Sequence, residues 1–249
     1  MNITAPFGFS EVVPIEINHR LKVDTVLPDF YATQNAIPVT VGEFPAVLRD
    51  LPIVFAPLGD GPEPAAFIPV AVCGISAGDN LLIDAGQWEN ATYVPAYLRR
   101  HPFCYAFGPG QADGTRPSIL CVEKRALSDD GEALYDAAGE PSPAWKEARE
   151  FIDQVESDFV RTQQFARLMH DLKVLDSFTM TANPPNVGEL RVTGMFRVNE
   201  DKLKALTADQ LRMLIDRGAM RLIYMHLSSI DRFPGLIQRH LARLGAKPS

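Results

Sequence analysis

The side chains with the clearest binding chemistry lie in one stretch, residues 88–103. This stretch contains one tryptophan, two tyrosines, one phenylalanine, two arginines and one histidine. Aromatic rings supply large contact areas, and the planar guanidinium group of arginine binds carboxylates through paired hydrogen bonds. The stretch therefore predicts a surface for a protein, a peptide or a small acidic ligand. Its candidate binding residues are Trp88, Tyr93, Tyr97, Arg99, Arg100 and His101.

The same side chains also fit a structural role, in which the rings cover a sheet and the arginines pair with surface acids. The residue types alone leave this alternative open. Two further candidates, Tyr224 and His226, lie in an apolar segment later in the chain. If the protein is an enzyme, His226, Tyr224 or His101 is the expected proton-transfer group, because histidine titrates near neutral pH.

The remaining motifs predict no dedicated catalytic or metal centre. The five histidines lack the H-x-x-x-H spacing of a zinc site, and the chain has no phosphate-binding loop and no G-x-G-x-x-G dinucleotide motif. We therefore predict no metal, no cofactor and no catalytic residue. The cysteines lie in apolar, strand-like segments outside any C-x-x-C pair, which predicts buried and reduced thiols at Cys73, Cys104 and Cys121.

Charge and hydropathy limit the classes of partner and location. The 249 residues carry a formal net charge of −7, which opposes binding to the phosphate backbone of nucleic acids. The first residues lack the basic and long apolar regions of a secretory signal, and no apolar run approaches the roughly 18 residues that span a bilayer. We expect a cytoplasmic protein without an integral membrane segment.

Hydrophobic spacing predicts an α+β fold with an antiparallel, strand-rich first half over residues 10–127. Within it, residues 67–75 and 81–84 flank a turn segment that contains Gly78, and together they predict a β-hairpin. The second half, residues 142–245, is predicted to be rich in helices. The connector between the halves is short and both carry apolar faces, so we expect one integrated domain over residues 1–249.

Local signals predict the elements of the second half. Ser142 and Pro143 mark the start of a long helix that continues to about residue 172. A β-hairpin follows over residues 178–198, and Gly194 indicates a bulge or a close backbone approach. A capping box at residues 207–210 and a helix stop at Gly218 predict the helical C-terminus. The apolar stripes of these helices are compatible with a homodimer.

Several short motifs are distributed along the chain. The most specific is Tyr-Val-Pro-Ala-Tyr-Leu-Arg-Arg at residues 93–100. The other motifs are Asn-Ala-Ile-Pro at 35–38, Glu-Phe-Pro at 43–45, Leu-Pro-Ile-Val-Phe at 51–55, Gly-Glu-Pro-Ser-Pro at 139–143 and Leu-Ile-Tyr-Met-His-Leu-Ser-Ser at 222–229. With these motifs the chain resembles the SapC family, which is named after a protein associated with bacterial surface-layer genes, and the resemblance extends from about residue 10 to residue 240.

The resemblance implies a general role and carries over no catalytic residue. Family members are often encoded near TonB-dependent receptors and enzymes similar to flavin-dependent tryptophan halogenases. This context implies an accessory role in nutrient uptake or peptide modification. Because the motifs above predict no catalytic residue and the aromatic stretch predicts a binding surface, our leading hypothesis is a non-enzymatic accessory protein that binds a protein, a peptide or a small acidic ligand. One alternative is an enzyme, or an enzyme subunit, that acts on peptides or aromatic residues. Another is a surface-layer-associated protein, which would require secretion and self-assembly.

Overall fold

Four antiparallel sheets contain the strands formed by the described residues of this chain. The computed structural model describes residues 3–22, 27–59, 64–108, 118–185 and 187–245. Within these ranges the strands are β1 (Val12–Pro14), β2 (Arg20–Leu21), β3 (Ala36–Pro38), β4 (Ile53–Leu58), β5 (Ala66–Val72), β6 (Ile83–Asp84), β7 (Gln87–Trp88), β8 (Phe103–Phe107), β9 (Ser118–Glu123), β10 (Glu132–Ala133), β11 (Leu175–Ala182) and β12 (Leu190–Val198).

The longer helices lie in the second half of the chain, as predicted. In the described residues the helices are α1 (Asp29–Ala32), α2 (Phe44–Val47), α3 (Ala96–Arg99), α4 (Pro143–Asp171), α5 (Glu200–Lys204), α6 (Ala208–Asp216), α7 (Ala219–Ser229) and α8 (Phe233–Gly245). Short 3-10 turns occupy Val41–Glu43, Lys124–Ala126 and Ile230–Arg232. Antiparallel sheets, a long central helix and a helical C-terminus confirm the predicted α+β fold class.

The chain forms two compact units, and each unit is built from two separate segments. Unit 1 contains Met1–Pro28 and Tyr97–Ser157, and unit 2 contains Asp29–Ala96 and Asp158–Ser249. Helices α3 and α4 each include residues of both units. The two units therefore do not coincide with the two sequence halves. The integrated domain expected from the sequence stays a prediction.

Unit 1 contains a three-stranded sheet in the order β1-β9-β8 and a two-stranded sheet of β2 and β10. Its larger apolar cluster includes Leu21, Phe103, Leu134 and Trp145. The two short strands approach closely at Gly131, where an added Cβ would lie 2.3 Å from the carbonyl carbon of Leu21. Glycine is required there because any side chain would separate the strands.

Unit 2 contains a five-stranded antiparallel sheet in the order β11-β12-β4-β5-β3. The hairpin of β11 and β12 from the second half of the sequence pairs with β4 from the first half, through Phe196 and Phe55. The register of this hairpin shifts opposite Gly194, which has a φ of +78°. The predicted bulge is therefore confirmed, and its glycine adopts a left-handed conformation.

The hairpin predicted between residues 67–75 and 81–84 is wrong. Strand β5 pairs instead with β4 and β3, while β6 pairs with β7. The segment after β5 is bound to an earlier part of the chain, because Asn80 donates its side-chain NH to the Tyr31 carbonyl and Gly74 donates its backbone NH to the Asn35 carbonyl. Residues 81–84 keep one backbone bond to the residue after β5, from the Leu81 NH to the Cys73 carbonyl at 2.8 Å, and Ile83 and Asp84 then pair with β7.

The predicted helix boundaries are confirmed. Helix α4 begins at Pro143, and the Ser142 hydroxyl accepts the backbone NH of Trp145 at 3.3 Å. At α6 the Thr207 hydroxyl accepts the Gln210 NH while the Gln210 side chain accepts the Thr207 NH, which completes the capping box. Gly218 lies between α6 and α7 with a φ of +67°.

Candidate functional site

In unit 2, two acids hold Tyr93 of the aromatic stretch, namely the buried Glu43 and the half-buried Asp50. The Tyr93 hydroxyl donates to Glu43 Oε1 at 3.1 Å, and the Tyr93 backbone NH donates to Asp50 Oδ2 at 3.0 Å. The same Glu43 oxygen accepts the Ala96 NH at 2.6 Å. Trp88 lies in β7 and is buried. The contacts of Tyr93 give it a structural role in positioning the stretch.

Glu43 also closes the 3-10 turn Val41–Glu43. Its second oxygen, Oε2, accepts the backbone NH of Thr40 at 2.8 Å and the Thr40 hydroxyl at 2.9 Å. The carboxylate therefore accepts four hydrogen bonds, although it is only 6% exposed. A buried carboxylate needs such partners because burial removes its hydration.

In unit 1, Tyr97 and Arg100 form a buried pair. The Arg100 guanidinium carbon lies 4.0 Å from the Tyr97 ring centroid and 5.6 Å from that of Phe9. The Tyr97 hydroxyl donates to the Phe7 carbonyl at 2.7 Å. Burial raises the pKa of Tyr97, and the nearby Arg100 charge partly offsets that rise. The pair combines a cation–π contact with a fixed hydroxyl, which stabilises the end of α3.

Arg99 and His101 flank Arg100 in the sequence and have different surroundings. Arg99 is exposed, and its guanidinium carbon lies 4.8 Å from the Phe151 ring centroid. His101 is half-buried, with its ring 5.5 Å from that of Phe9. Of the candidate residues in unit 1, Tyr97, Arg100 and His101 therefore converge on Phe9 and its neighbours, while Arg99 extends to the surface.

Tyr224 and His226 point in different directions from α7. Tyr224 is 52% exposed, whereas His226 is fully buried. The His226 Nδ1–H donates to the Ile53 carbonyl at 2.7 Å, and Nε2 accepts the Val198 NH at 3.1 Å. Both ring nitrogens are therefore occupied by the backbone, which also fixes the tautomer. The structure does not bring Tyr224 and His226 together.

The His226 ring replaces one rung of the sheet. The pairing of Phe55 with Phe196 places Ile53 opposite Val198, and the imidazole bridges the carbonyl of the first to the NH of the second. Burial lowers the pKa of His226 to about 4. The ring is therefore neutral near pH 7, as an acceptor at Nε2 requires.

A cavity of about 470 Å³ in unit 2 brings together arginines that are distant in sequence. The second half of α4, the 3-10 turn Val41–Glu43 and the junction of α6 with α7 form its walls. We call it the arginine pocket, and it is lined by Val41, Arg161, Gln164, Phe165, Leu168, Arg217, Ala219 and Leu222. No spacing rule in the sequence connects Arg161 to Arg217, so the sequence motifs give no signal for this site.

The apolar wall of the arginine pocket is held firmly in place. The Val41 NH donates to the Thr162 hydroxyl at 2.9 Å, and that hydroxyl donates to the Asp158 carbonyl at 2.6 Å. Phe165 is buried, with its ring 6.1 Å from each of the rings of Phe44 and Phe55. Interlocked rings and a bonded turn make a preformed surface that loses little entropy when a ligand binds.

The polar groups of the arginine pocket are mainly cationic. Arg161 is paired with Asp158 one turn earlier on α4, and its side chain is 59% exposed. Arg217 follows α6, is exposed, and has no ion-pair partner among the residues that the structure describes. Gln164 adds an amide that donates or accepts hydrogen bonds. Two guanidinium groups beside an apolar wall suit a carboxylate that is next to an apolar group.

Comparison with known families identifies the chain. Residues 18–236 match the family model described as SapC. The chain belongs to the SapC family. The match confirms the resemblance of the sequence motifs and includes every residue that lines the arginine pocket. No curated protein and no solved structure gives a significant match to the chain.

The cysteines of this SapC-family chain are all free and buried, as predicted. Burial raises the pKa of Cys104 to about 12, and it also raises the pKa values of Cys73 and Cys121. Cys104 and Cys121 are cross-strand partners in β8 and β9. A raised thiol pKa depletes the thiolate, which is the reactive form.

One motif missed in the sequence is Gly74-Ile75-Ser76-Ala77-Gly78, which fits the G-x-S-x-G pattern of a hydrolase nucleophile. That pattern requires a sharp turn between a strand and a helix. Here turns follow β5, and the next element is strand β6. Ser76 is exposed, and in the described ranges no histidine or carboxylate bonds its hydroxyl. The match is therefore one of sequence only.

Throughout the part of the chain that the structure describes, no three His, Cys, Asp or Glu side chains are grouped so that they could hold a metal ion. None of the helices formed by the described residues has the length and apolar character needed to cross a bilayer.

Proposed function

We propose that this SapC-family protein is an accessory protein that binds an acidic peptide segment of a partner through the arginine pocket. The observation that carries the proposal is the placement of Arg161 and Arg217 around one apolar-walled cavity. A chain with a net charge of −7 repels most acidic partners, so local positive charge favours their binding at this pocket, where Arg161 is paired with Asp158 and Arg217 has no ion-pair partner among the described residues.

The pocket also limits the size and type of its occupant. A cavity of about 470 Å³ is within the usual range of ligand sites, which runs from about 300 to 1,000 Å³. It accommodates a few residues of a peptide. A Glu or Asp side chain would pair with the guanidinium groups, and a neighbouring apolar side chain would pack against Phe165 and Leu168.

The test measures fluorescence anisotropy with labelled octapeptides. Each peptide has a central Glu-Leu, Glu-Phe, Asp-Leu or Asp-Phe pair flanked by Gly and Ser, and matched peptides carry Gln or Asn in place of the acid. We expect the acidic peptides to bind in the micromolar range and the amide peptides to bind at least tenfold more weakly, because a hydrogen bond to a charged group contributes about 1.5–3 kcal/mol.

Substitutions separate the pocket from general charge. Arg217→Met keeps most of the apolar stem and removes the guanidinium, so it should weaken the binding of the acidic peptides about tenfold or more. Arg221→Met is the matched control, because Arg221 is an exposed arginine of α7 outside the pocket lining. Equal binding of acidic and amide peptides, or equal losses in the two variants, would contradict the proposal.

A further inference from the structure

Unit 1 contains a second cavity, of about 450 Å³, at the start of α4. We call it the Trp145 pocket. Leu21, Phe103, Leu134 and Trp145 supply its apolar lining, and these residues belong to the core of unit 1. The Phe103 and Trp145 rings lie 4.9 Å apart at a tilt of 38°. The result is a rigid aromatic wall large enough for a small molecule.

A buried hydrogen-bond donor lies in this wall. Trp145 is only 2% exposed, and its indole Nε1–H has no acceptor among the residues that the structure describes. A buried donor without an acceptor destabilises the folded state, so such groups are rare in native proteins. An oxygen atom brought by a ligand would satisfy this donor and remove that destabilisation.

The exposed lining of the Trp145 pocket carries charges of both signs. Asp130 and Glu132 contribute two carboxylates, and Lys22 contributes an ammonium group. In the described parts of the chain none of the three has a salt-bridge partner. Gly131 and Ser142 also line the cavity. Unpaired charges of both signs beside an aromatic wall match a ligand that itself carries both charges.

From these features we infer that the Trp145 pocket binds a zwitterionic amino acid with an apolar or aromatic side chain. The ligand ammonium pairs with Asp130 and Glu132, its carboxylate pairs with Lys22 and supplies the acceptor for the indole, and its side chain packs against Phe103. This inference uses residues of unit 1 alone and is independent of the arginine pocket.

The direct test uses Trp145 itself as the reporter. The chain has two tryptophans, so the Trp88→Phe variant leaves only Trp145 fluorescent. Its fluorescence is followed during titration with L-phenylalanine, with phenethylamine, which lacks the carboxylate, and with 3-phenylpropionate, which lacks the ammonium. Calorimetry on the wild-type protein provides an independent readout. We expect L-phenylalanine to bind at least tenfold more tightly than either analogue, since each loses one charged contact.

Variants assign the contacts. Asp130→Asn combined with Glu132→Gln should weaken the binding of L-phenylalanine about tenfold and leave the binding of 3-phenylpropionate unchanged, because that analogue has no ammonium group. Lys22→Met should weaken the binding of L-phenylalanine and leave the binding of phenethylamine unchanged, because that analogue has no carboxylate. Asp129→Asn is the matched control, because Asp129 is exposed and does not line the cavity. All four positions are at the surface, so the variants should fold.

Three results would overturn the inference. One is no binding of L-phenylalanine up to ~10 mM, where even a weak site would be occupied. The second is equal binding of L-phenylalanine and one of its analogues, which would assign the pocket to an amine or an acid instead. The third is a loss of affinity for L-phenylalanine in the control variant Asp129→Asn that equals the loss in the Asp130→Asn and Glu132→Gln double variant. Arg217→Met should leave the titration unchanged, so failure here and failure of the proposed peptide site are distinguishable.

Discussion

Protonation of His226 should weaken the fold, because its imidazole serves as a rung between β4 and β12. The Nε2 atom accepts the Val198 NH and is unable to do so once it carries a proton. The folded state therefore binds a proton at His226 only near pH 4, whereas the unfolded chain binds one near pH 6.5. Between these values the unfolded state holds more protons, so the free energy of unfolding falls as the pH drops.

The size of the effect follows from the pKa difference. Each pKa unit corresponds to about 1.4 kcal/mol, so the folded state loses about 3 kcal/mol once the pH is well below 4. Between about pH 7.5 and about pH 5 the expected loss is about 2 kcal/mol, because only part of the difference is titrated. Above about pH 7 the contribution of His226 is complete.

The assay is urea unfolding at both pH values for the wild type and for His226→Asn. The asparagine amide keeps a donor for the Ile53 carbonyl and loses the acceptor for Val198, so we expect a destabilisation of about 1–3 kcal/mol at neutral pH. At about pH 5 the difference in the free energy of unfolding between the two proteins should be smaller by about 2 kcal/mol, since only the wild type has the histidine that titrates.

The decisive quantity is how this difference in the free energy of unfolding changes with pH, because other titratable groups contribute equally to both proteins. His170→Asn serves as the control for the loss of a histidine, since the His170 side chain is 42% exposed. If the difference in the free energy of unfolding between wild type and His226→Asn stays constant from about pH 7.5 to about pH 5, the explanation that a neutral His226 bridges β4 and β12 is refuted.

Two further predictions concern the integrity of the fold. Glu43→Gln should lower the free energy of unfolding by about 2–4 kcal/mol, because the carboxylate accepts four hydrogen bonds. The control Glu147→Gln, at an exposed site, should change the free energy of unfolding by less than about 0.5 kcal/mol. Equal changes in the two variants would contradict this explanation. Trp88→Phe and Trp145→Phe leave one reporter in unit 1 and unit 2 respectively, and for one integrated domain each variant should unfold at the same urea concentration by fluorescence and by circular dichroism. Separate transitions would show that the units unfold independently.

Local signals in the sequence predict the elements whose ends are set by nearby residues. Ser142 with Pro143, the capping box at Thr207 and the stop at Gly218 all act within one helical turn, and the structure confirms each. The bulge at Gly194 is equally local. The hairpin expected around Gly78 is wrong because the competing contacts, from Asn80 to Tyr31, are 49 residues apart. No local pattern reports such a contact.

The candidate site shows the same limit. Two of the candidate residues, Tyr97 and Arg100, contact each other, and their role in binding stays a prediction. Their burial depends on rings from the start of the chain, which the composition of residues 88–103 does not reveal. The arginine pocket joins residues more than 50 positions apart, and it exists only after α4 packs beside the junction of α6 and α7. Pockets of this kind become visible only in the folded structure.

The chain passes between its two units three times, after Pro28, Ala96 and Ser157. This interleaving has a consequence for synthesis on the ribosome. Unit 2 begins to emerge before unit 1 is complete, because unit 1 awaits residues 97–157 and the five-stranded sheet awaits β12. Apolar edges of both units therefore stay exposed during translation, so the nascent chain offers holding chaperones a prolonged window for binding.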